Sequence, residues 1–214
     1  MDEKKPMKDL TVKRYPDRAI YDRNELLRIL DDNLFCYVSF VYDNIPFSIP
    51  MMYSNRSDQI YLHGSPDSRL IKYLRSGGIF SIEVIKIKGI VIATHIKDNS
   101  VNYESVVAIG KGYEIKDTEE KSESFRSLSE KIMKGMWEYY HQPSREDLEK
   151  VSVIRIDVDD FSIKIRRGGP KENDPDGRLW SGTLDLECRY ANPSGSGNSS
   201  CSLPEFIQDA IKMI

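Results

Sequence analysis

Residues 79–115 read IFSIEVIKIKGIVIATHIKDNSVNYESVVAIGKGYEI, and this stretch decides the fold class. β-branched and aromatic residues dominate it and alternate with polar ones, which is the two-residue period of a strand. The stretch predicts a hairpin with strands over residues 79–86 and 89–95 that turns at Lys88-Gly89. A longer strand is predicted over residues 101–115.

Similar strand patterns occur on both sides of this stretch. Runs of aromatic and β-branched residues bounded by turn residues predict strands over residues 34–41, 47–53, 59–63, 151–158 and 161–166. The first three are expected to form a meander that turns at Asp43-Asn44. Gly110 and Gly112 lie inside the long strand, where glycine marks a bulge or a close approach to a ligand. Roughly eight strands at this spacing predict an antiparallel barrel, mainly β with peripheral helices (α+β).

Short amphipathic segments predict the peripheral helices. Asn24 is placed to cap the first helix, and Thr118 is placed to cap a longer one that Gly135 ends. Ser144 opens another helix, and Pro204 begins the last one.

The composition is that of a globular chain without a general affinity for polyanions. Of 214 residues, 39% are hydrophobic and 30% are charged, and the net charge is -3. This balance leaves no overall basic field for nucleic acid or anionic lipid, so we expect neither partner, and any phosphate must be held locally. Charged residues interrupt the longest apolar run, so no membrane span is expected. The first residues lack the apolar segment of a signal peptide.

The termini and the cysteines bear on domain organisation and location. Residues 1–13 are charged and aperiodic, which predicts a flexible N-terminal arm, and the Ser- and Gly-rich residues 193–202 predict a flexible linker. Cys36, Cys188 and Cys201 form no metal-binding pattern, which indicates reduced thiols in a cytoplasmic protein. A chain of this length supports one full hydrophobic core.

The sharpest functional signal is HGSPDSR at residues 63–69, where a strand runs through a glycine into a helix. Ser65 fits the N-cap of that helix and Pro66 fits its first position. A helix N-terminus offers free N–H groups to a phosphate, and Ser68 and Arg69 lie in the predicted first turn. An ordinary capped helix with a surface arginine has the same residues, so both interpretations stay open.

Two strands carry polar side chains at alternate positions. In SVNYESVV, residues 100–107, short polar side chains interrupt a buried pattern, as in strands that line ligand cavities. An edge strand with one solvated face has the same pattern. The two-residue period also puts Ser162, Lys164 and Arg166 on one face, towards an anionic ligand or towards solvent. The sequence has no nucleophile elbow, Walker loop, dinucleotide glycine motif or zinc-protease motif, and its histidines are dispersed.

Taken in order, these motifs resemble one family. The residues that carry the resemblance are Arg14, RAIYDR at 18–23, IPFSIP at 45–50, YLHGS at 61–65, SVNY at 100–103, SVV at 105–107, Gly110, SIKIR at 162–166 and WSG at 180–182. Together they resemble the pyridoxamine 5'-phosphate oxidase-related flavin-nucleotide-binding proteins. These are FMN-binding split β-barrels related to the nitroimidazole-resistance proteins.

The resemblance implies a homodimer in which residues 14–214 form a single FMN-binding split-barrel domain. Two FMN molecules would lie at the interface, each touched by both subunits. The residues that similarity places beside the flavin ring are Pro50, Met51, Met52, Leu62, His63, Tyr103 and Ser105. The residues that it places at the phosphate are Ser65, Ser68 and Arg69. Lys164 and Arg166 match a late strand that reaches the cofactor, and Trp180 is placed to cover it.

The chain departs from such relatives at Glu104 and Thr94, where they usually carry arginine, and at Asn99, where they usually carry histidine. If Glu104 faces the pocket, its charge disfavours anionic substrates. The Arg-Gln-Val-Arg and Arg-Leu-His-Asp-Arg runs of true pyridoxamine phosphate oxidases are absent. Vitamin B6 oxidation is therefore the least favoured function.

The predicted function is an FMN-dependent oxidoreductase whose substrate the sequence does not indicate. In such a protein the flavin carries the redox chemistry, while the chain supplies orientation and excludes solvent. The alternative is a non-catalytic protein that binds or carries a flavin or a haem.

Overall fold

The computed structural model of the chain describes residues 10–171, 174, 177–195 and 202–212. Residues 1–9 of the predicted arm and residues 196–201 of the predicted linker, with Cys201, lie outside this part. Cys36 is buried and Cys188 is exposed, and both are free thiols. The organisation of residues 14–214 as one domain stays a prediction.

The described part contains eleven strands and six α-helices. The strands β1 to β11 are Ala19–Ile20, Phe35–Tyr42, Ile45–Met52, Ser54–Arg56, Gln59–Gly64, Phe80–Ile92, Ser100–Gly110, Gly112–Glu114, Ser152–Asp157, Asp160–Arg166 and Gly182–Asp185. The helices α1 to α6 are Arg23–Asp31, Arg69–Arg75, Thr118–Ile132, Met136–Tyr139, Arg145–Lys150 and Glu205–Lys212. Short 3-10 turns occur at Pro16–Arg18 and Ile96–Asp98.

The strands form two antiparallel sheets. Over the described residues, the larger sheet has seven strands in the order β1-β10-β7-β6-β2-β3, with β11 also paired to β6, and the smaller has the order β4-β5-β9-β8. One hydrophobic cluster joins both sheets with α1 and α2. Within the described part of the chain, the two antiparallel sheets share one core without closing into a continuous barrel, as the mainly β, split-barrel class predicts.

Two predictions of strand pairing were wrong. The predicted hairpin over residues 79–95 is the single strand β6, because both of its halves pair with β7, from Phe80 opposite Gly110 to Val91 opposite Ser100. The register shifts between Ile87 and Gly89, where the sequence pattern indicated a turn. The predicted meander also fails, because β5 leaves β3 and pairs with β4 and β9 in the smaller sheet.

The glycines in the long predicted strand mark the passage from one sheet to the other. The strand ends at Gly110 in the larger sheet and resumes at Gly112 in the smaller one. A β-carbon at Gly112 would lie 2.6 Å from Ile154 Cγ2 and 3.4 Å from Leu74 Cβ. The close approach is therefore to the core and to α2.

Aspartates cap two helices earlier than predicted. Asp22, rather than Asn24, caps α1 and accepts a hydrogen bond from Glu25 N at 2.9 Å. Asp117, rather than Thr118, caps α3, which ends at Ile132 before reaching Gly135. A carboxylate just ahead of the helix accepts its free N–H groups and adds a favourable dipole interaction.

The other two predicted helix starts are confirmed. Ser144 caps α5 in a reciprocal capping box with Asp147. Pro204 directly precedes α6.

A buried polar cluster ties α3 to the end of α1. Lys131 Nζ donates to the Leu30 carbonyl at 2.8 Å and to Asn55 Oδ1 at 2.7 Å, and lies 3.6 Å from the centroid of the Tyr53 ring. The Tyr53 hydroxyl donates to the same carbonyl at 2.7 Å. This carbonyl belongs to the last turn of α1, where helices leave acceptors without partners. Burial lowers the pKa of Lys131 to about 7, although the Asp31 carboxylate opposes the shift.

We expect Lys131→Met to cost more stability at about pH 10 than at about pH 7. The folded-state pKa of Lys131, about 7, lies below the unfolded value of 10.5, so between these values the folded chain binds fewer protons. The free energy of unfolding of the wild type therefore rises with pH there, by up to about 1.4 kcal/mol per pH unit relative to the variant. Urea unfolding between about pH 7 and about pH 10 measures the difference in free energy of unfolding between the wild type and Lys131→Met. A difference that stays constant or falls as the pH rises contradicts the account.

Candidate functional site

One face of the larger sheet turns away from the core, and we call it the open face. Its exposed apolar side chains are Phe35, Tyr37, Met52, Ile85, Ile87, Ile90 and Leu184, which are 37% to 58% exposed. Residues between them on the same strands, such as Cys36, Val38 and Val84, are fully buried, as the alternation of a strand requires. A continuous apolar face of this kind marks a ligand or protein contact.

Three predicted site residues lie together on the open face. Ser105 is opposite Ile85 on β6 and Lys164 on β10, and Tyr103 is opposite Ile87. Ser105 Oγ also donates to the Lys164 carbonyl at 3.4 Å. A hydroxyl and an ammonium group thus border an apolar surface, an arrangement suited to the polar edge of a planar ligand.

Arg166 is only 7% exposed and has its guanidinium held in place. It donates to Asn102 Oδ1, to the Gly168 carbonyl at 3.2 Å and to the Gly169 carbonyl at 3.3 Å. Burial lowers its pKa, and the nearby Arg18 adds to this shift. The charge is therefore oriented by the fold itself.

The residues predicted on β3 and β5 have different surroundings. Pro50 and Met52 are exposed on the edge strand β3, whereas Met51 lies opposite Cys36 and packs against the core. Leu62 is fully buried, so only its backbone is available to a ligand. The His63 ring packs against Phe125 of α3 at 4.8 Å between centroids, and burial lowers its pKa.

The helix after β5 begins later than predicted. Its N-cap is Ser68, whose Oγ accepts from Ile71 N at 3.2 Å, and not Ser65. Ser65 instead closes the preceding turn, where its carbonyl accepts from Ser68 N and its Oγ accepts from Asp67 N. Pro66 therefore lies in a turn, since the first helical residue is Arg69.

Arg69 is available to a ligand. Its guanidinium carbon lies 4.4 Å from the Phe47 ring centroid and 6.0 Å from that of Tyr42, and it forms no ion pair with any described carboxylate. Ser65, Ser68 and Arg69 are thus neighbours, as the phosphate prediction requires.

Arg69 and Lys164 lie in separate parts of the sheet. Arg69 covers Phe47 on β3, and Lys164 is on β10, with β2, β6 and β7 between these strands. Four strand spacings correspond to about 19 Å along the sheet. The predicted site residues therefore form two groups in one chain.

Trp180 lies beside the strand that extends the open face. It is 62% exposed and precedes β11, which pairs with the far end of β6. A β-carbon at Gly182 would lie only 2.7 Å from Cζ2 of the Trp180 ring, so the ring packs directly on this glycine.

The departures from the family pattern face away from the open face or belong to a turn. Glu104 is 3% exposed and is paired with Arg28 at 3.0 Å and Arg167 at 2.9 Å, so the premise that it faces the pocket is wrong. Its neighbours Tyr103 and Ser105 point the other way because side chains alternate. Asn99 Oδ1 accepts from Ala93 N at 2.8 Å and closes the β6–β7 connection, and Thr94 Oγ1 lies 3.4 Å from His95 Nδ1 in the same turn.

Sequence reasoning assigned no role to a basic cleft beside the open face. Arg14, Tyr15, Arg18, Lys97, Asp98, Asn99, Ser100, Arg166 and Lys171 line it. Four separate segments of the chain supply these residues. Two signals were available: Arg14 and Arg18 entered the family resemblance, and the alternation along β10 predicted that Arg166 faces an anionic ligand or solvent.

The chain was compared with known protein families, curated proteins and solved structures. The family model described as pyridoxamine 5'-phosphate oxidase matches residues 22–165. No curated protein matches the chain significantly. Within the described residues, no helix combines the length and apolar character needed to cross a membrane, and no three His, Cys, Asp or Glu side chains are arranged to hold a metal.

Several solved structures are similar over much of the chain. The flavocytochrome Anf3 from Azotobacter vinelandii is 27% identical, with a TM-score of 0.84 over 95% of this chain and 97% of that one. The FAD and heme binding protein from Mycobacterium smegmatis is 22% identical, with a TM-score of 0.83 over 91% and 97%. A Bacteroides thetaiotaomicron protein assigned to 5-nitroimidazole antibiotic resistance is 22% identical, with a TM-score of 0.58 over 69% and 86%.

Glu104→Gln should lower the free energy of unfolding by about 1–3 kcal/mol at neutral pH, because it removes a buried charge from two arginines. Burial raises the pKa of Glu104, but hydrogen bonds from Arg28 and Arg167 outweigh it, so the folded-state pKa lies below 4.5. The stabilisation is present above that unfolded value and is lost as the pH falls through the folded one. Urea unfolding at neutral and acid pH tests this.

Glu187→Gln is the matched control, because Glu187 is exposed after β11 and away from the Glu104 ion pairs. It should leave stability unchanged. Equal losses in the two variants would show that the Glu104 ion pairs do not stabilise the fold.

Proposed function

The chain belongs to the pyridoxamine 5'-phosphate oxidase family, and on that premise we propose that it binds FMN and acts as a flavin-dependent oxidoreductase. The observation that carries the proposal is the open face, with its apolar surface bordered by Ser105 and Lys164. The 27% identity to a flavocytochrome along almost the whole chain supports a flavin in particular.

The open face fits the isoalloxazine ring of a flavin. Ile85 and Ile87 offer a flat apolar surface, and Phe35 and Met52 continue it towards the sheet edge. Flavin rings carry carbonyl and nitrogen acceptors along one edge. The Lys164 ammonium group is a donor of the kind that this edge needs, and the Ser105 hydroxyl can donate there if it releases its 3.4 Å bond to the Lys164 carbonyl.

The phosphate is assigned to Arg69, with Ser65 and Ser68. Arg69 has no carboxylate partner in the described residues, so a phosphate dianion would not compete with an existing ion pair. Charge-assisted hydrogen bonds from arginine to phosphate are strong and directional. The Ser68 hydroxyl accepts from the helix backbone and keeps its own proton to donate.

Two copies of the chain are proposed to share each flavin. The ring donors on β10 and the phosphate cation beside β3 are about four strand spacings apart in one chain. A second copy packed on the open face would bring its Arg69 towards the first copy's Lys164. The exposed apolar area of the open face supports such an isologous homodimer.

The role of the chain is binding, orientation and exclusion of water. When bound, the flavin supplies the electron-transfer chemistry. Lys164 favours negative charge at the edge of the ring, because it is a cation beside an apolar surface. Phe35, Ile85 and Ile87 keep water from the ring face. No side chain is required as a nucleophile.

The second candidate is a non-catalytic protein that binds or carries a flavin or a haem, and the similarity to a flavocytochrome supports haem as a possible ligand. An absorption spectrum of the purified protein separates the cofactors, because flavin and haem have different bands. Anaerobic stopped-flow reduction of the bound flavin by NADH or NADPH separates enzyme from carrier. Reduction during turnover with an acceptor supports the oxidoreductase, and no reduction by either donor favours the carrier. A cytoplasmic location stays a prediction.

Arg69→Ala is expected to weaken FMN binding by about tenfold or more, because one or more charge-assisted hydrogen bonds are lost. Riboflavin, which lacks the phosphate, should lose little affinity. Titration of flavin fluorescence measures both ligands, and Arg126→Ala on α3 is the matched arginine control. Equal losses for FMN and riboflavin would show that Arg69 does not contact the phosphate.

Flavin binding should lower the protein concentration at which the dimer dissociates, since a ligand shared by two copies stabilises them by mass action. Ile87→Lys on the open face should abolish both dimer and flavin, whereas Ile96→Lys, at a side chain 87% exposed in a turn, should affect neither. Light scattering on dilute protein with and without FMN tests this. A monomer that binds FMN tightly would refute the shared site.

A further inference from the structure

The basic cleft beside the open face is a second binding region, with a volume of about 350 Å³. We propose that it binds the diphosphate group of a dinucleotide. The cleft is separate from the phosphate residues around Arg69, so the inference goes beyond the proposed FMN site.

The charge of the cleft is strongly one-sided. Its cations are Arg14, Arg18, Lys97, Arg166 and Lys171, and its single described carboxylate is Asp98. None of these cations, Arg166 included, forms an ion pair with a carboxylate among the described residues, and the hydrogen bonds of Arg166 go to an amide and two carbonyls. A chain with a net charge of -3 therefore concentrates positive charge at one place, which favours a ligand with several negative charges.

Arg166 gives the cleft a fixed donor. Its guanidinium is buried and held by the Asn102 side chain and by the Gly168 and Gly169 carbonyls. Because these acceptors are neutral, they orient the guanidinium without cancelling its charge. A pre-oriented arginine loses little freedom when it binds an anion.

Four cationic side chains surround the ring of Tyr15 at the cleft. Arg18, Arg14, Lys171 and Lys164 lie 4.2, 5.3, 5.4 and 5.9 Å from the centre of its ring. Its backbone is left-handed, with φ at 58°, which is uncommon for an aromatic residue. A hydrogen bond from Arg14, with the charges of Arg14, Lys171 and Arg18, lowers the pKa of the Tyr15 phenol.

The position of the cleft favours a dinucleotide over a free anion. Lys164 reaches towards Tyr15 from the open face, where it is opposite Ser105, so the two regions adjoin. A ligand with a ring on the open face can therefore extend into the cleft. Asp98 Oδ2 is buried without a hydrogen-bond partner among the described residues, and a ribose hydroxyl next to the diphosphate is a suitable donor for it.

Calorimetric titration of the purified, flavin-free protein with pyrophosphate, ADP and AMP tests the cleft. ADP and pyrophosphate should saturate one site per chain, and AMP should bind more weakly. Arg18→Ala and Lys171→Ala should each weaken ADP by about tenfold, the effect of one charge-assisted contact, whereas Arg126→Ala should not. Arg18 precedes β1 and Lys171 follows β10, both outside the hydrophobic core, so circular dichroism should show both variants folded.

Absence of saturable ADP and pyrophosphate binding, or equal losses in Arg126→Ala, overturns the proposal. Arg69→Ala should leave ADP affinity unchanged, because Arg69 does not line the cleft, and this variant separates the outcome from the FMN phosphate site.

Two further comparisons of ligand affinity then identify the source of the diphosphate. If it belongs to FAD, Arg69 of the second copy holds the phosphate next to the riboflavin and the cleft beside Lys164 holds the adjoining one. Wild-type protein then binds FAD more tightly than FMN, and Arg18→Ala removes that preference. If it belongs to a nicotinamide dinucleotide, Arg18→Ala leaves flavin affinity unchanged and raises the Kd of NADPH. Both results support the cleft. Unchanged affinity for FAD, NADH and NADPH in the variant contradicts a dinucleotide ligand.

Discussion

The antiparallel pairing of β6 with β7 is the constraint on which the rest of the structure depends. Its register puts Tyr103 and Ser105 on the open face and Asn102 and Glu104 on the other side. A slip of one residue would bury Ser105 and expose Glu104, because alternate side chains point to opposite faces. The shift at Ile87 and Gly89 keeps apolar residues on the open face along the rest of β6.

Sequence patterns predicted the positions of the strands better than they predicted which strands pair with each other. Runs of aromatic and β-branched residues located β2, β9 and β10 within one or two residues. The run in β2 indicated a strand with little solvent on either face, which is wrong, because Phe35 and Tyr37 are exposed on one of them. The same pattern could not show that β5 joins a second sheet, because pairing depends on contacts distant in the chain. Lys88-Gly89 indicated a turn. The chain continues as one strand there, because the residues on both sides of it pair with β7.

The site was predictable where one strand supplies it and not where several segments meet. Alternation along Ser162 to Arg166 correctly placed Lys164 on the outer face. Whether Glu104 faced a ligand depended on Arg28 and Arg167, which no local pattern reveals. The basic cleft combines residues 14–18, the β6–β7 connection, the end of β10 and Lys171, so only the fold brings its cations together.

The central claim is that each flavin contacts two copies of the chain, with Arg69 from one and Lys164 from the other. Mixing unfolded Arg69→Ala and Lys164→Ala chains, refolding them together and counting bound FMN tests it most directly. In a two-fold dimer, about half the refolded dimers are mixed and each holds one intact site, so about a quarter of the sites should regain FMN. Recovery no greater than the average of the two variants refolded separately would contradict a shared site.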